Sequence, residues 1–578
     1  MEKLGSFVLV LHAHLPYVLS HGTWPHGSDW LNEAAVGTYI PLLNVLNRLK
    51  DEGLSPKVTI DISPVLAEML ANDEFKKGFK AYLELKKTAA KNDIEEFTRI
   101  GETHMAKLAG MWLDLFGKIH RDFTSRYNED LLNAFKTLQD QGHIEIATCG
   151  ATHGYFPLLS EDVSIQAQIK QAVSSYRRHF GKDPRGIWLP ECAYRPSYRW
   201  KKPFEEGGQP YLRKGIEEFL SENRIEYFFV DSHLVKGGKA IGVYLDRFED
   251  LRSLWANFEK QYKPLPETAE RTPYKVYWVG AGEGMMPVAV FSRDPKTGLQ
   301  VWSGEWGYPG DGNYLDFHKK RFPGGLRYWR ITDAKADLAD KGPYVPQDAA
   351  ARLPENAGHF VDLIKENLKA HTEKTGEKGI VVAPYDCELF GHWWFEGPEW
   401  IYRVIKCIHL DGNVEMQTAS EYLGKTRPRE VITLPEGSWG EGGYHWIWLN
   451  DMNKWTWKHV YEAEKEMKEL AQKYGERRTD SLLTDILKQA ARELLLLESS
   501  DWQFLISTRA AADYAETRVS RHFEDFKRLA SMARKKGEGE GLGEGDINFL
   551  HCIMERDDLF PDIDPAWFAE VEYKPMGA

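Results

Sequence analysis

Two carboxylates stand out because of what precedes them. In "GIWLPECAY" an apolar run, Ile187 to Leu189, meets Pro190 and then Glu191. In "VVAPYDCELFGHWWFEGP" a second apolar run meets Pro384, Tyr385 and Asp386. An apolar run that stops at proline reads as a buried strand reaching its loop. Two acids at such strand ends can flank a glycosidic bond. In a retaining enzyme they sit about 5–5.5 Å apart, one as nucleophile and one as acid and base. The acid must keep its proton near neutral pH, and apolar surroundings achieve this by penalising the charged form. Phe390, Trp393, Trp394 and Phe395 can supply such surroundings for Asp386 or Glu388.

Other side chains could serve the same chemistry. His12 and His14 in "LHAHLPY" lie two residues apart, on one face of an extended segment. With Asp61 or His153 they could hold zinc, and they equally suit hydrogen bonds to sugar hydroxyls. No cysteine pair and no HExxH motif supports the metal, so no metal or cofactor is expected. The chain carries 20 Trp, more flat apolar surface than a core needs, which suits stacking on sugar rings. "VWSGEWGYPGDGNY" (301–314) sets Trp302, Trp306, Tyr308 and Asp311 among turn-forming glycines and proline, and "GSWGEGGYHWIWLN" (437–450) does the same with Trp439, Trp446 and Trp448. "SSDWQF" (499–504) follows a buried helix and could return Asp501 and Trp502 to the site.

Short apolar runs at Phe7–Leu11, Val58–Ile62, Ile144–Thr148, Gly186–Leu189, Tyr227–Val230, Val288–Phe291 and Ile380–Ala383 must position these groups. Most are β-branched or aromatic, as strands buried on both faces are. Helical periodicity fills several gaps, as in Gly37–Lys50 and Val163–His179, so a parallel sheet is expected. Seven strands predict a closed or nearly closed barrel, with an open doubly wound sheet as the alternative. Polar residues follow the strands repeatedly: His12 and His14, His153, Glu191, Asp231 and His233, Arg293 and Asp294, and Asp386, with Asp61 inside the second. Such repetition marks the C-terminal face on which a β/α barrel builds its site.

The stretches 192–225 and 236–286 leave this rhythm and are expected to form an excursion over the barrel mouth. The predicted division is a barrel from residues 1–191 and 287–420, an inserted subdomain at 192–286, and an all-helical domain at 421–578. In the last, Trp457–Tyr474, Leu482–Leu497 and Ala510–Lys535 read as helices, the second capped by Asp480 or Ser481. "KKGEGEGLGEGD" (535–546) reads as a mobile surface loop.

At 578 residues the chain is too long for one core. Its net charge of -13 argues against nucleic-acid or anionic-membrane partners. Five scattered cysteines suggest a reducing compartment and no disulfide framework. Phe7–Leu11 is too short to span a membrane and has no cleavage site beside it, so a cytoplasmic protein is expected, as monomer or homodimer.

"HAHLPY", "ATHGYFP", "WLPECAY", "PYDCELFGHWWFEGP" and the segment around "TASEYL" resemble, in order, the five motifs of glycoside hydrolase family 57. "WLNEAAVGTYIPLL", "FSRD…VWSGEWGYPGD" and "LLLLESSDWQF" are more similar to its 1,4-α-glucan branching enzymes than to its amylases. The resemblance implies a distorted (β/α)7 barrel with an inserted subdomain and a helical C-terminal domain, a metal-independent retaining mechanism and an α-glucan substrate. It implies Glu191 as nucleophile and Asp386 as acid and base. His12, His14 and His153 would line the donor-sugar subsite, and Trp24, Trp30, Trp302, Trp439 and Trp448 the glucan path. Arg293, Trp306, Asp311, Trp394, Asp501 and Trp502 complete the candidate substrate-binding set. A loop tyrosine covering the site is also implied, with Tyr262, Tyr274 and Tyr277 as candidates. The rivals are an α-amylase or 4-α-glucanotransferase using the same two acids, a glycan-binding protein with a decayed site, and a metal-dependent carbohydrate esterase.

Overall fold

Each of the seven apolar runs is a strand. They are β1 (Gly5–Ala13), β2 (Val58–Ile62), β3 (Ile144–Cys149), β4 (Gly186–Trp188), β5 (Tyr227–Val230), β6 (Val288–Ser292) and β7 (Gly379–Asp386). Every strand residue is buried except Asp386 at the tip of β7, which is half-buried. Continuous burial on both faces explains why the runs do not alternate with polar residues. The computed structural model describes residues 3–205, 207–240, 249–258, 262–303, 307–333, 335–476 and 479–571.

The strands pair in the order β7-β1-β2-β3-β4-β5-β6, all parallel, and curl into the distorted barrel. A seam lies between β6 and β7, where no ladder forms among the described residues. Two backbone hydrogen bonds cross it: Asp294 N–H donates to Val382 O at 2.8 Å, and Ile380 N–H donates to Tyr274 O at 3.0 Å. The outer side of β6 is taken instead by the antiparallel Tyr277–Val279, and that strand by Val431–Ile432. The stretch 236–286 thus sends one strand back into the barrel sheet. Its helix Glu249–Phe258 packs against Asp501–Thr508.

The connection from β2 to β3 contains an element that the sequence reading passed over. Asp73–Arg99 and Thr103–Arg121 are long helices folded back on one another. Their Lys- and Glu-rich faces hid a stripe of Phe75, Phe79, Tyr82 and Leu83 at helical spacing, all buried.

The C-terminal part is helical from Lys454 on, but Val431–Ile432, inside the 421–578 stretch expected to be all-helical, belongs to the sheet. Lys454–Tyr474, Ser481–Leu497 and Ala512–Gly537 pack together. Asp480 caps the second by accepting from Leu483 N–H at 3.1 Å. The expected loop at 535–546 is shorter than predicted. Ala512–Gly537 runs into it and Glu544–Arg556 starts within it, leaving residues 538–543 as the link. The short helix Asp501–Thr508 joins two long ones and touches the barrel at its start, where Ser500 N–H donates to His153 O at 2.9 Å. No described helix is long and apolar enough to cross a membrane, and none of the five cysteines is in a disulfide.

Candidate active site

The turn after β4 explains how an apolar strand delivers a carboxylate. Leu189 is still extended, Pro190 opens a single helical turn, and Glu191 sits at φ 59°, ψ 26°. Cys192 follows at φ 47°, and His153, after β3, stands at φ 62°. Left-handed backbone costs a side-chain-bearing residue on the order of 1–3 kcal/mol, so the surroundings must hold it. Cys192 N–H donates to Leu189 O at 2.8 Å, and Trp439 N–H donates to Glu191 O at 3.1 Å. Tyr194 and Gly437 exchange both backbone hydrogen bonds, which fixes the Trp439 segment alongside.

Both oxygens of Glu191 then meet donors from the C-terminal part. Trp439 Nε1–H donates to Oε2 at 2.9 Å and Ser500 Oγ–H to Oε1 at 3.2 Å. Asp386 ends β7 in register with His12, which is in register with Asp61 on its other side. Burial and the charges of Asp386 and Asp501 push Glu191 up to about 8, against the two donors, which pull it down. Glu388 is a third buried acid, also pushed up to about 8 by burial; its Oε1 accepts from Tyr39 O–H at 2.5 Å and His14 N–H at 3.2 Å.

The histidines form one connected cluster. His12 Nδ1 meets Asp61 Oδ2, and His12 Nε2 lies 3.1 Å from His153 Nε2. His153 Nδ1 lies 2.8 Å from Ser500 Oγ. Toward the Glu191 carboxylate that attacks, Ser500 donates its Oγ–H and accepts from His153 Nδ1–H. His153 Nε2 then accepts from His12 Nε2–H, and His12 Nδ1 accepts from a protonated Asp61. Burial supports this polarity: it pushes Asp61 well up, His12 down to about 3 and His153 well below its usual value. His14 is held separately, by Ser63 Oγ at 2.8 Å and Asp501 Oδ2 at 3.0 Å. Burial alone would raise Asp501, but His14 and Ser499 outweigh it and hold the carboxylate below its usual range. His14, His153 and Asp501 lie close enough to share a metal ion. Each of the six ring nitrogens nevertheless has a hydrogen-bond partner already.

These groups open onto one cleft of about 1560 Å³. Glu191, Asp386, His12, His14, His153, Asp501, Trp24, Trp30 and Trp439 all line it. The other candidates stand elsewhere. Trp302 is buried behind Trp439, ring centroids 6.0 Å apart, and Arg293 is buried on Asp231, its guanidinium 5.6 Å from the Trp439 ring centre. Both support a cleft wall without lining it. Trp394 is packed among Tyr314, Phe390 and Trp400, and Trp448 lies against Tyr155. Trp502 is buried under Arg518 and donates to Leu496 O, while Asp311 is bound to Arg352 and Asn313. Trp306 lies outside the described residues. Of the three tyrosines, Tyr274 donates to Asp294, Tyr277 is a strand residue, and Tyr262 accepts from Ala240 N–H; none lines the cleft.

Sequence reasoning missed Ser500, Ser63 and Tyr39. Ser500 was within reach of it, one position before Asp501. Ser63 and Tyr39 gave no local signal, since they meet His14 and Glu388 only through the pairing of β1 with its neighbours β2 and β7.

The glycosyl hydrolase family 57 model matches residues 8–435, and the model of the C-terminal region of 1,4-alpha-glucan branching enzymes matches residues 459–568. A 1,4-alpha-glucan branching enzyme of Thermococcus kodakarensis is 43% identical over 557 residues, which span 96% of this chain and 77% of that protein. The crystal structure of a family 57 branching enzyme from Thermococcus kodakaraensis superposes with a TM-score of 0.88 at 41% identity, covering 98% of this chain and 97% of that one. The α-amylase AmyC of Thermotoga maritima superposes with a TM-score of 0.79 at 29% identity, covering 98% and 100%. With both halves of the chain matched in sequence and nearly its whole length in shape, the chain belongs to glycosyl hydrolase family 57.

Proposed function

We propose that the chain is a 1,4-alpha-glucan branching enzyme that cuts an α-1,4 linkage and moves the freed chain to a 6-hydroxyl by double displacement. The observation that carries this reading is Glu191 in a cleft shared with Asp386, each of its oxygens held by a donor from beyond the barrel. Ser500 and Asp501 lie within the stretch matched by the branching-enzyme C-terminal model. The part of the chain that speaks for branching is thus the part that reaches the nucleophile.

In the first step Asp386 protonates the leaving O4 while a Glu191 oxygen attacks the anomeric carbon. The C1–O4 bond breaks, and a C1–O bond to Glu191 forms with inversion. In the second, Asp386 takes the proton of an acceptor 6-hydroxyl, whose oxygen displaces Glu191 with a second inversion. The product is an α-1,6 branch with retained configuration. Glu191 must ionise to attack. Positive charge developing at the anomeric carbon favours its carboxylate, and the Trp439 and Ser500 donors are already aimed at it. His12, His14, His153 and Asp501 form the wall that faces the donor sugar, and Trp24, Trp30 and Trp439 offer flat surface along the glucan. Arg293 and Trp302 act through Trp439. The protein is read as cytoplasmic, monomeric or dimeric, with no nucleic-acid partner.

Hydrolysis is the second reading, favoured by the AmyC likeness; water would then take the acceptor's place. Linear amylose separates the two. Branching removes iodine colour while reducing ends stay constant. A matching rise in reducing ends overturns branching in favour of amylase action.

A further inference from the structure

The cleft does not end at the sugar-handling residues. Beyond Trp30 it continues between one face of helix Asp73–Arg99 and the turn at residues 321–326. Glu74, Gly78, Leu85 and Asn92 line it, so the helix flanks about 27 Å of groove at 1.5 Å per residue. That is far more than one scissile linkage requires.

The opposite wall is a built platform. Residues 321–326 close a tight turn in which Arg321 N–H donates to Leu326 O at 2.8 Å and Gly325 N–H donates to Arg321 O at 2.7 Å. Both ends are tied to the helix. Arg321 Nε donates to Asp93 at 2.9 Å, and Lys86 Nζ donates to Gly324 O at 3.0 Å. Gly324 approaches Ala89 so closely that a side chain there would clash, its Cβ falling 2.6 Å from that of Ala89. This fixed turn holds Phe322 68% exposed on the cleft, opposite Leu85 at 70%. Large apolar groups held in water on a rigid support mark a binding surface rather than a packing fault.

We propose that this distal arm is a remote subsite for linear α-1,4-glucan, in which Phe322 and Leu85 face the apolar side of the sugar rings. The occupant follows from continuity: the groove runs without a break from the acids that handle the same polymer. Binding energy gained there reaches the chemistry only through a chain long enough to span both places. The arm therefore makes the enzyme select by chain length. This rests on the α-glucan reading of the site.

The test compares amylose with maltooligosaccharides too short to reach the arm, in the wild type, Phe322→Ala and Phe322→Trp. Phe322 is exposed, and circular dichroism checks the fold. In Phe322→Ala the ratio of kcat/KM on amylose to that on the short chains falls about fivefold to tenfold, and Phe322→Trp restores it. An unchanged ratio in Phe322→Ala overturns the subsite. Amylose binding to a Glu191→Gln protein, with and without Phe322→Ala, separates this from failure of the catalytic reading. A wild type that forms no branches but still loses amylose affinity on Phe322→Ala sinks the activity and leaves the subsite standing.

Discussion

The loop after β1 carries His14 into one buried polar cluster and His21 into another, and the two had opposite fates. Around His14 the histidines, Asp61, Asp501 and Glu191 open onto the cleft. Around His21, the residues Glu493, His522 and Asp557 are buried and border neither that cleft nor the small cavity beside it. Both clusters bring histidines and carboxylates within metal-ligating distance of one another. What differs is the company. Arg518 donates to His522 Nε2 at 2.9 Å, so His522 donates Nδ1–H to Glu493 at 2.7 Å, and the His522 ring keeps no lone pair for a cation. Asp557 accepts from His21 at 2.6 Å and from Arg556 at 2.5 and 2.8 Å. Burial would raise Asp557, but these partners hold it well below its usual range. Among the described residues no guanidinium is paired with Glu191, and burial pushes it up instead. One set of residue types thus makes a structural lock where charges are matched and a reactive centre where they are not.

The largest effects should come from removing the mismatch. Glu191→Gln and Asp386→Asn are each expected to lower kcat by about 10⁴-fold or more, with the fold intact. Glu191→Gln should also stabilise the protein, and more so at high pH. The folded state keeps the Glu191 proton up to about 8, whereas the unfolded chain releases it near 4.5. The native state therefore binds the extra proton across that window, and wild-type stability falls as pH rises from about 4.5 through 8. Melting curves should show a larger gain for the variant at pH 9 than at pH 5. An equal gain at both would mean that Glu191 is not the unmatched acid described.

The lock predicts the reverse pattern. Asp557→Ala leaves His21 buried without its carboxylate and takes one of the carboxylates of the half-buried Arg556, which keeps Asp525, so about 3 kcal/mol of stability should be lost in urea unfolding. At a temperature where the variant stays folded, its specific activity should match the wild type within about twofold. Loss of activity without loss of stability would merge the two clusters into one functional unit.

The contrast also marks how far sequence could see. All seven strands were legible because residues such as Phe7–Leu11 are apolar on both faces, and Glu191 and Asp386 because each follows the same strand-proline punctuation. The seam at β6 and β7 was not, since it depends on Tyr277–Val279 returning antiparallel from a stretch with no clear period. Aromatic identity misled where burial decides. Trp302, Trp394, Trp448 and Trp502 sit in Gly-rich or motif segments and read as sugar platforms, yet they are buried behind the wall. Phe322, the exposed aromatic of the distal arm, had no motif around it. Ser500 was hidden by its ordinariness: a serine is informative only once His153 and Glu191 stand on either side of it.

Ser500 sets the next smaller effect. Ser500→Ala removes one donor from Glu191 and is expected to lower kcat/KM about tenfold. The lost donor lowered the Glu191 pKa, so the acid limb of the kcat/KM profile, near pH 8 in the wild type, should move to higher pH. A rate loss with an unmoved limb would make Ser500 a packing residue of the barrel–helix contact.

Asp61 offers the smallest effect and the sharpest reading of the cluster. If the hydrogen bonds run from Asp61 toward Glu191, Asp61 acts as a donor to His12 Nδ1. Asn can donate from its amide at the same position, so Asp61→Asn should cost less than about threefold in kcat/KM. Asp61→Ala, which leaves His12 Nδ1 unanswered in a buried site, should cost about tenfold. An ionised Asp61 that accepts from His12 predicts the opposite ranking. Asn would then flip the His12 tautomer and reverse each hydrogen bond along His12, His153 and Ser500, turning Glu191 from the donor to Ser500 into its acceptor. In serine proteases the corresponding exchange beside the catalytic histidine costs about 10⁴-fold. A large loss in Asp61→Asn would therefore invert the polarity assigned to the chain and put a charge beside His12, making the cleft cluster resemble the lock it is contrasted with.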